Sequence, residues 1–194
     1  MNGGSNMKKI LFVNACVRKE SRTRELAELV LSRLDGEVEE VNLEKEALKP
    51  LTRRTLNKRM KLQSDNKLDD EMIKYAHQFR DADIIVMAAP YWDLSFPASL
   101  KTYIEHINVV GVTFAYADDE PYGMCRAQQL IYVTTAGGPI YSDELGYGYI
   151  RELCEKFYGI KETRYIKVEN LDLYGADVEG LMNEGREKIR NMEF

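Results

Sequence analysis

The sequence is poor in cysteine and histidine, and it lacks the usual glycine-rich nucleotide-binding motifs. Cys16, Cys125 and Cys154 are widely spaced and form no Cys-x-x-Cys pair, which argues against a disulfide scaffold or a zinc site and favours a reducing cytoplasm. The two histidines, His77 and His106, are too few for a histidine-rich metal site, so we expect no metal. Neither GxxxxGK[ST] nor GxGxxG occurs, which disfavours a nucleoside triphosphate or a dinucleotide held by glycines.

Long apolar runs and an excess of positive charge are also missing. No run approaches the roughly 18 apolar residues that span a bilayer, so we expect no membrane insertion. The net charge of −5 argues against a nucleic-acid partner, because a polyanion would meet a repulsive field. Residues 1–7 contain no long apolar stretch, and we expect a flexible leader there. With 44% hydrophobic residues in the chain, residues 8–194 are expected to form one domain around a single core.

Strand-like and helix-like segments alternate along the rest of the chain. The apolar runs ILFV (10–13) and DIIVMAAP (83–90) are typical of strands covered on both faces. This alternation predicts an α/β fold: a doubly wound, five-stranded parallel sheet with helices on both faces, in the flavodoxin-like order 2-1-3-4-5. The predicted strands are Lys9–Asn14, Glu37–Leu43, Ile84–Ala89, Leu130–Thr134 and Arg164–Val168.

Two stretches interrupt the alternation. Residues 49–67 are basic and polar without a clean apolar period, and we expect a long surface excursion there, followed by a helix over 72–79. Residues 111–126 alternate and turn, which predicts a small hairpin beside the main sheet.

The segment NACVRKESRTREL (14–26) follows the first predicted strand. In open α/β sheets, ligands bind at the carboxyl ends of the strands, where the strand order reverses. Ser21 and Thr23 suit the start of a helix, and its free N–H groups together with Arg18 and Arg22 suit a phosphate monoester. An ordinary capped helix with solvated arginines explains the same residues about equally well.

Two further loops follow the third and fourth strands of the predicted sheet. The loop after the third strand holds Tyr91, Trp92 and Leu94, large side chains that suit a flat ligand, another subunit or local packing. After the fourth strand, Gly137–Gly138 lets the backbone approach a ligand and offers N–H donors, although a simple turn has the same composition. A phosphate pocket, an aromatic wall and N–H donors match the three parts of flavin mononucleotide (FMN).

At family level, the chain resembles the flavodoxin-like NAD(P)H:quinone oxidoreductases and FMN-dependent NADH-azoreductases, related to NADPH-dependent FMN reductases. The resemblance runs from Lys8 onward and is strongest in PYWDLSFPASLKTYIEHI, TTAGGPIYS and GYGYIRELCEKFYGI. It implies FMN as cofactor, NADH or NADPH as donor, and ping-pong hydride transfer through the flavin N5 to a quinone, azo compound or similar flat acceptor. It also implies a homodimer with the site at the interface.

The same resemblance implies which residues hold the cofactor. The first loop would bind the phosphate, the second would line the isoalloxazine largely through backbone groups, and the third would border its pyrimidine side, with Tyr141 close to ring and substrate. No side chain is required as an obligate catalytic base. The residues expected to bind the cofactor are Arg18, Ser21, Arg22, Thr23, Pro90, Tyr91, Trp92, Asp93, Leu94, Thr135, Ala136, Gly137, Gly138 and Tyr141.

This sequence departs from the family pattern at two places, and two other functions remain open. It has Cys16-Val17-Arg18 where the family commonly has Ser-Pro-Arg, and Trp92-Asp93 where azoreductases usually have Tyr-Asn. A small packing residue is the main interpretation of Cys16, and a redox role is the alternative. The competing functions are a flavodoxin-type one-electron carrier that binds FMN without NAD(P)H turnover, and a flavin-free regulatory protein that retains the fold.

Overall fold

The computed structural model describes residues 7–194; residues 1–6, which belong to the predicted leader, lie outside the described part. The strands are β1 Lys9–Asn14, β2 Glu37–Asn42, β3 Ile84–Ala88, β4 Phe114–Ala117, β5 Glu120–Gly123, β6 Gln129–Thr135 and β7 Glu162–Val168. The α-helices are α1 Arg22–Leu31, α2 Leu43–Glu46, α3 Arg53–Ser64, α4 Lys74–Asp81, α5 Ala98–Ile107, α6 Tyr149–Leu153 and α7 Val178–Asn191. A 3₁₀ turn, Glu71–Ile73, precedes α4, and two π-helical turns, Glu144–Gly148 and Cys154–Tyr158, flank α6.

Five parallel strands form the main sheet in the order β2-β1-β3-β6-β7. Numbered without the hairpin strands, this order is 2-1-3-4-5, so the predicted topology is confirmed. β4 and β5 pair antiparallel in a separate two-stranded sheet, which confirms the predicted hairpin.

The core lies on both faces of the sheet, as the apolar run of β3 predicts. Ile85 and Met87 contribute to one cluster with residues of α4 and α5, including Tyr103. Ile84 and Val86 contribute to a second cluster with residues of α1 and α7. Helices therefore cover both faces. None of the helices in the described range is long and apolar enough to cross a bilayer.

Within the predicted surface excursion over residues 49–67, Arg53–Ser64 form α3, a helix that sequence analysis did not identify. None of its residues is buried, so the apolar period that reveals most helices is absent. Thr52 and Thr55 form a capping box at its start, and Arg59 Nη1 donates to the carbonyl oxygen of Glu105 at 2.6 Å. Capping and polar anchoring hold this helix where apolar burial does not.

The strand order reverses between β1 and β3, the two neighbours at the centre of the sheet. β2 lies beyond β1 on one side, and β6 and β7 lie beyond β3 on the other. The loops that leave the carboxyl ends of β1, β3, β6 and β7 therefore meet at one edge, which is where a doubly wound sheet binds its ligand.

Candidate cofactor-binding site

A cavity of about 260 Å³ opens at this edge of the sheet. Ten of the fourteen residues predicted to bind the cofactor line it, so the loops after β1, β3 and β6 converge on one space as expected. The lining residues are Cys16, Val17, Arg18, Glu20, Ser21, Arg22, Thr23, Pro90, Tyr91, Trp92, Thr135, Ala136, Gly137 and Asp172.

A buried asparagine shapes the loop after β1. Asn14 is the last residue of the strand and is fully buried. Its Oδ1 accepts the N–H of Cys16 at 2.9 Å, and its Nδ2 donates to Glu40 Oε1 at 2.8 Å. Because both ends of the amide are satisfied, the chain leaves the strand in a fixed direction. Sequence analysis missed this role, since a single Asn at a strand end is also a common turn residue.

The start of α1 provides the donors for an anion. Ser21 is the N-cap, and its Oγ accepts the N–H of Arg24 at 3.3 Å, which confirms the predicted cap. Over the described residues, the N–H groups of Arg22 and Thr23 have no acceptor. With the guanidinium groups of Arg18 and Arg22 also at the cavity, this helix end is suited to bind a phosphate.

Thr23 also joins two of the loops. Its Oγ1 lies 2.7 Å from the Oγ1 of Thr135, the last residue of β6, and both side chains are buried. The bond fixes the first turn of α1 against the end of β6. This hydrogen bond therefore joins two of the segments that line the cavity.

The thiol of Cys16 is buried beside the same loop. Its Sγ lies 3.8 Å from the carbonyl oxygen of Ala88. Burial raises the pKa of Cys16 above its ordinary value, and the nearby Ser21 hydroxyl and Arg24 charge only partly oppose the shift. A protonated, buried thiol is a poor nucleophile, which favours packing over redox chemistry for this residue.

The loop after β3 continues the sheet briefly and then turns sharply. Tyr91 N–H donates to the carbonyl oxygen of Thr135 at 3.0 Å. Trp92 and Ser95 then exchange two backbone hydrogen bonds of 3.0 and 2.8 Å, closing a two-residue turn. Both turn residues, Asp93 and Leu94, have left-handed backbones with φ of 49° and 67°. This pattern is a type I′ turn built without glycine, and it is strained at Leu94.

The glycine-containing loop after β6 pairs with the loop after β7 through its carbonyl groups. The oxygens of residues 136, 137 and 138 accept the N–H groups of residues 171, 172 and 170, at 3.2, 2.8 and 3.1 Å. By contrast, the N–H groups of Gly137 and Gly138 have no acceptor among residues 7–194. The pairing therefore leaves two adjacent donors for a ligand, as sequence analysis predicted for this loop.

Asp172 is the lining residue that sequence analysis missed most clearly. It follows β7, and its Oδ1 lies 2.9 Å from Arg22 Nη1. A Cβ placed on Gly137 would come within 2.4 Å of Asp172 Oδ2, so Gly137 makes room for this carboxylate. The available signal was its position: Asp172 lies beyond the carboxyl end of a predicted strand, as the residues of the other three loops do.

Four predicted residues lie outside the set that lines the cavity: Asp93, Leu94, Gly138 and Tyr141. Tyr141 is 78% exposed in a segment held down by Asp143, which accepts hydrogen bonds from β7 residues at 3.0 and 3.2 Å. The contacts of these four residues with the cofactor stay predictions.

Together, the doubly wound sheet and the cavity at its switch point define a protein of the flavodoxin-like α/β class. The family model described as flavodoxin-like fold matches residues 8–192. FMN-dependent NADH:quinone oxidoreductase 2 of Clostridium acetobutylicum is 34% identical to this chain over 196 residues, covering 95% of this chain and 97% of that protein. The chain belongs to the flavodoxin-like family that includes these oxidoreductases, which confirms the resemblance.

Two solved structures are similar to this chain. The azoreductase from Bacillus anthracis str. Sterne has a TM-score of 0.82 and 26% identity, covering 94% of this chain and 97% of that one. An FMN-dependent NADH-azoreductase from Bacillus anthracis str. Ames Ancestor, solved in complex with FMN, has a TM-score of 0.79 at 18% identity and covers 94% and 96%. The second likeness is one of fold.

Proposed function

We propose that the chain is an FMN-dependent NADH oxidoreductase that reduces quinones, azo compounds or similar flat acceptors. The observation that carries the proposal is the cavity at the switch point, which is lined by a helix start with two arginines and by Gly137, whose N–H has no acceptor among residues 7–194. The quinone oxidoreductase and azoreductase names of the similar proteins give the reaction class.

The residues present fit FMN. Residues 18–23 supply cations, a hydroxyl and helix N–H groups for a phosphate. Gly137 in the cavity lining, with Gly138 next to it in the chain, would supply N–H donors for a pyrimidine edge. Trp92 offers an aromatic surface beside them. The Tyr91 hydroxyl is buried and unpartnered among the described residues, although the residue lines the cavity. A buried hydroxyl without a partner at a binding cavity is consistent with a missing polar ligand.

When bound, FMN would supply the chemistry, accepting a hydride from the nicotinamide and passing it to the acceptor. The chain's own contribution is binding and polarisation. The N–H groups of Gly137 and Gly138 would stabilise negative charge at the pyrimidine edge, as donors in an oxyanion hole do. The turn at Trp92–Ser95 would hold one wall of the ring site. No side chain of the cavity needs to act as an obligate base.

Donor and acceptor would use the same open side of the site in turn, which is the ping-pong order. The exposed side chains of Trp92 and Leu94, 38% and 48% accessible, suit flat conjugated molecules of several kinds. NADH is the donor in the relatives' names, and we propose it here, with NADPH as the second donor to compare.

A homodimer with the site at its interface is part of this proposal. Trp92 in the cavity lining and Leu94, Tyr141 and Leu145 in the segments after β3 and β6 are exposed apolar side chains, and Ser95 Oγ donates to the Leu145 carbonyl oxygen, joining these two segments. Such a group is typical of a protein interface. Three unpaired cysteines in the described range support a cytoplasmic location. Sedimentation analysis at several concentrations tests the dimer: a monomer at every concentration contradicts it.

The test of the function begins with FMN and the purified chain. We expect FMN to bind and give a flavin visible spectrum, NADH to bleach it anaerobically, and a quinone or azo dye to restore it in stoichiometric amount. Photoreduction in two separate one-electron steps, without bleaching by NADH or NADPH, would instead identify an electron carrier. Failure to take up FMN would contradict every flavin-dependent function.

A further inference from the structure

The cofactor cavity contains a carboxylate beside one of its arginines. We propose that Asp172 is a specificity-determining residue: it competes with the cofactor's phosphate for Arg22, and so limits how strongly the cavity prefers a phosphorylated flavin over an unphosphorylated one. This inference rests on the proposed function, because it takes FMN as the ligand.

The ion pair between the two residues is short but open to solvent. Arg22 Nη1 and Asp172 Oδ1 lie 2.9 Å apart, and the side chains are 41% and 61% exposed. Exposed ion pairs are weak and exchange partners readily. A phosphate at the start of α1 can therefore take Arg22 from Asp172, provided that its own interaction with the guanidinium is stronger.

The main chain at Asp172 is held independently of Arg22. Its N–H donates to the Gly137 carbonyl oxygen at 2.8 Å, and its Oδ2 lies 2.4 Å from where a Cβ on residue 137 would be. Residue 172 therefore stays beside the cavity when Arg22 changes its partner. A phosphate bound there would gain the Arg22 guanidinium as a partner and would still lie near the Asp172 carboxylate.

The formal charge of the cavity lining determines how much the Asp172 carboxylate affects phosphate binding. Its charged lining residues are Arg18, Arg22, Glu20 and Asp172, so two positive and two negative charges give a formal sum of zero. Removing one carboxylate leaves a net positive cavity. An anionic phosphate would gain from that change, whereas an uncharged ribityl chain would not.

The experiment compares FMN with riboflavin, which lacks the phosphate, by titrating apoprotein and measuring flavin fluorescence. We expect Asp172→Asn to lower the Kd for FMN about three- to tenfold and to change the Kd for riboflavin less than about twofold. The matched control is Glu28→Gln, which removes a carboxylate from the exposed pair with Arg24 on α1, outside the cavity lining. It makes the same change in net charge, and we expect neither Kd to change more than about twofold.

A double-mutant cycle with Arg22→Ala tests whether Asp172 acts through Arg22. We expect the gain in FMN affinity from Asp172→Asn to be clearly smaller in the Arg22→Ala background, because only direct repulsion between carboxylate and phosphate remains there. An undiminished gain in that background means that Asp172 acts by repulsion alone and overturns the competition. Equal weakening of FMN and riboflavin by Asp172→Asn, or no change in FMN affinity, also overturns it. If the unmodified chain does not bind FMN, the proposed function itself fails, so the two failures are distinguishable.

Discussion

The two halves of the candidate site are built differently. The phosphate half, residues 14–23, is fixed by buried hydrogen bonds of Asn14 and Thr23 and by the Ser21 cap. The ring half, residues 90–95 and 136–141, exposes Trp92 and Leu94 and carries a strained turn. Hydrogen bonds within the chain fix the phosphate half, whereas the ring half leaves apolar side chains exposed among the described residues.

This difference suggests a division of work. A phosphate half whose backbone is already fixed would bind the proposed cofactor with little reorganisation beyond the Arg22 side chain, so it should contribute most of the affinity and the discrimination among flavins. An open ring half can accept several flat molecules in turn and can be completed by a second chain. Substitutions in the phosphate half should therefore mainly change the Kd for FMN. Substitutions in the ring half should mainly change the free energy of unfolding or the range of acceptors.

The largest effect is expected from removing phosphate donors. Arg18→Ala combined with Ser21→Ala should raise the Kd for FMN at least about 100-fold, because charge-assisted hydrogen bonds contribute about 1.5–3 kcal/mol each and 2.7 kcal/mol corresponds to 100-fold. The Kd for riboflavin should change less than about threefold. Fluorescence titration of both flavins measures the ratio.

Two controls accompany this variant. Ser21→Ala also removes a helix cap, at a cost of about 1 kcal/mol, so Arg18→Ala alone separates binding from stability. Arg53→Ala, on the exposed helix α3, removes a positive charge outside the cavity lining. Equal losses for FMN and riboflavin would show that the phosphate half does not recognise phosphate.

A smaller effect concerns the joint between the halves. Thr23→Val leaves the buried hydroxyl of Thr135 without its partner, and the free energy of unfolding should fall by about 1–3 kcal/mol. The double variant Thr23→Val with Thr135→Val should recover part of this loss, since both polar partners are then gone. Urea denaturation of the apoprotein measures both differences from the unmodified chain.

The matched control is Thr102→Val. Thr102 is similarly buried, but its hydroxyl donates to the Ala98 carbonyl oxygen within α5, so its removal orphans no side chain. If Thr102→Val costs as much as Thr23→Val, the hydroxyl pair does not join the two halves.

Much of the fold could be predicted from the sequence, because buried parallel strands produce long apolar runs. The run at residues 10–13 lies in β1, and the run at residues 83–90 contains β3, the two strands between which the order reverses. The helix at 53–64 could not be found in this way, since it buries no side chain and its cap and polar anchors leave no apolar period.

For the candidate site, sequence analysis identified three of the four loops that supply its lining residues. These three carry recognisable chemistry: hydroxyls and arginines, large aromatics, and paired glycines. Asp172 was missed because an isolated aspartate in a polar loop has the composition of an ordinary turn. Its partner, Arg22, lies 150 residues away, and a single sequence contains no signal for a pair so distant.

The smallest expected effect tests the strain of the ring half. A left-handed backbone costs a residue other than glycine about 1–2 kcal/mol, and glycine loses about 0.5–1 kcal/mol more entropy on folding. Leu94→Gly should therefore stabilise the apoprotein by about 0.5 kcal/mol in urea denaturation. Leu145→Gly is the control, because Leu145 is similarly exposed, at 52% against 48%, but is not among the positive-φ residues; it should destabilise. If both variants lose stability equally, the Leu94 side chain makes stabilising contacts within the chain, and the ring half is better packed than its exposure indicates.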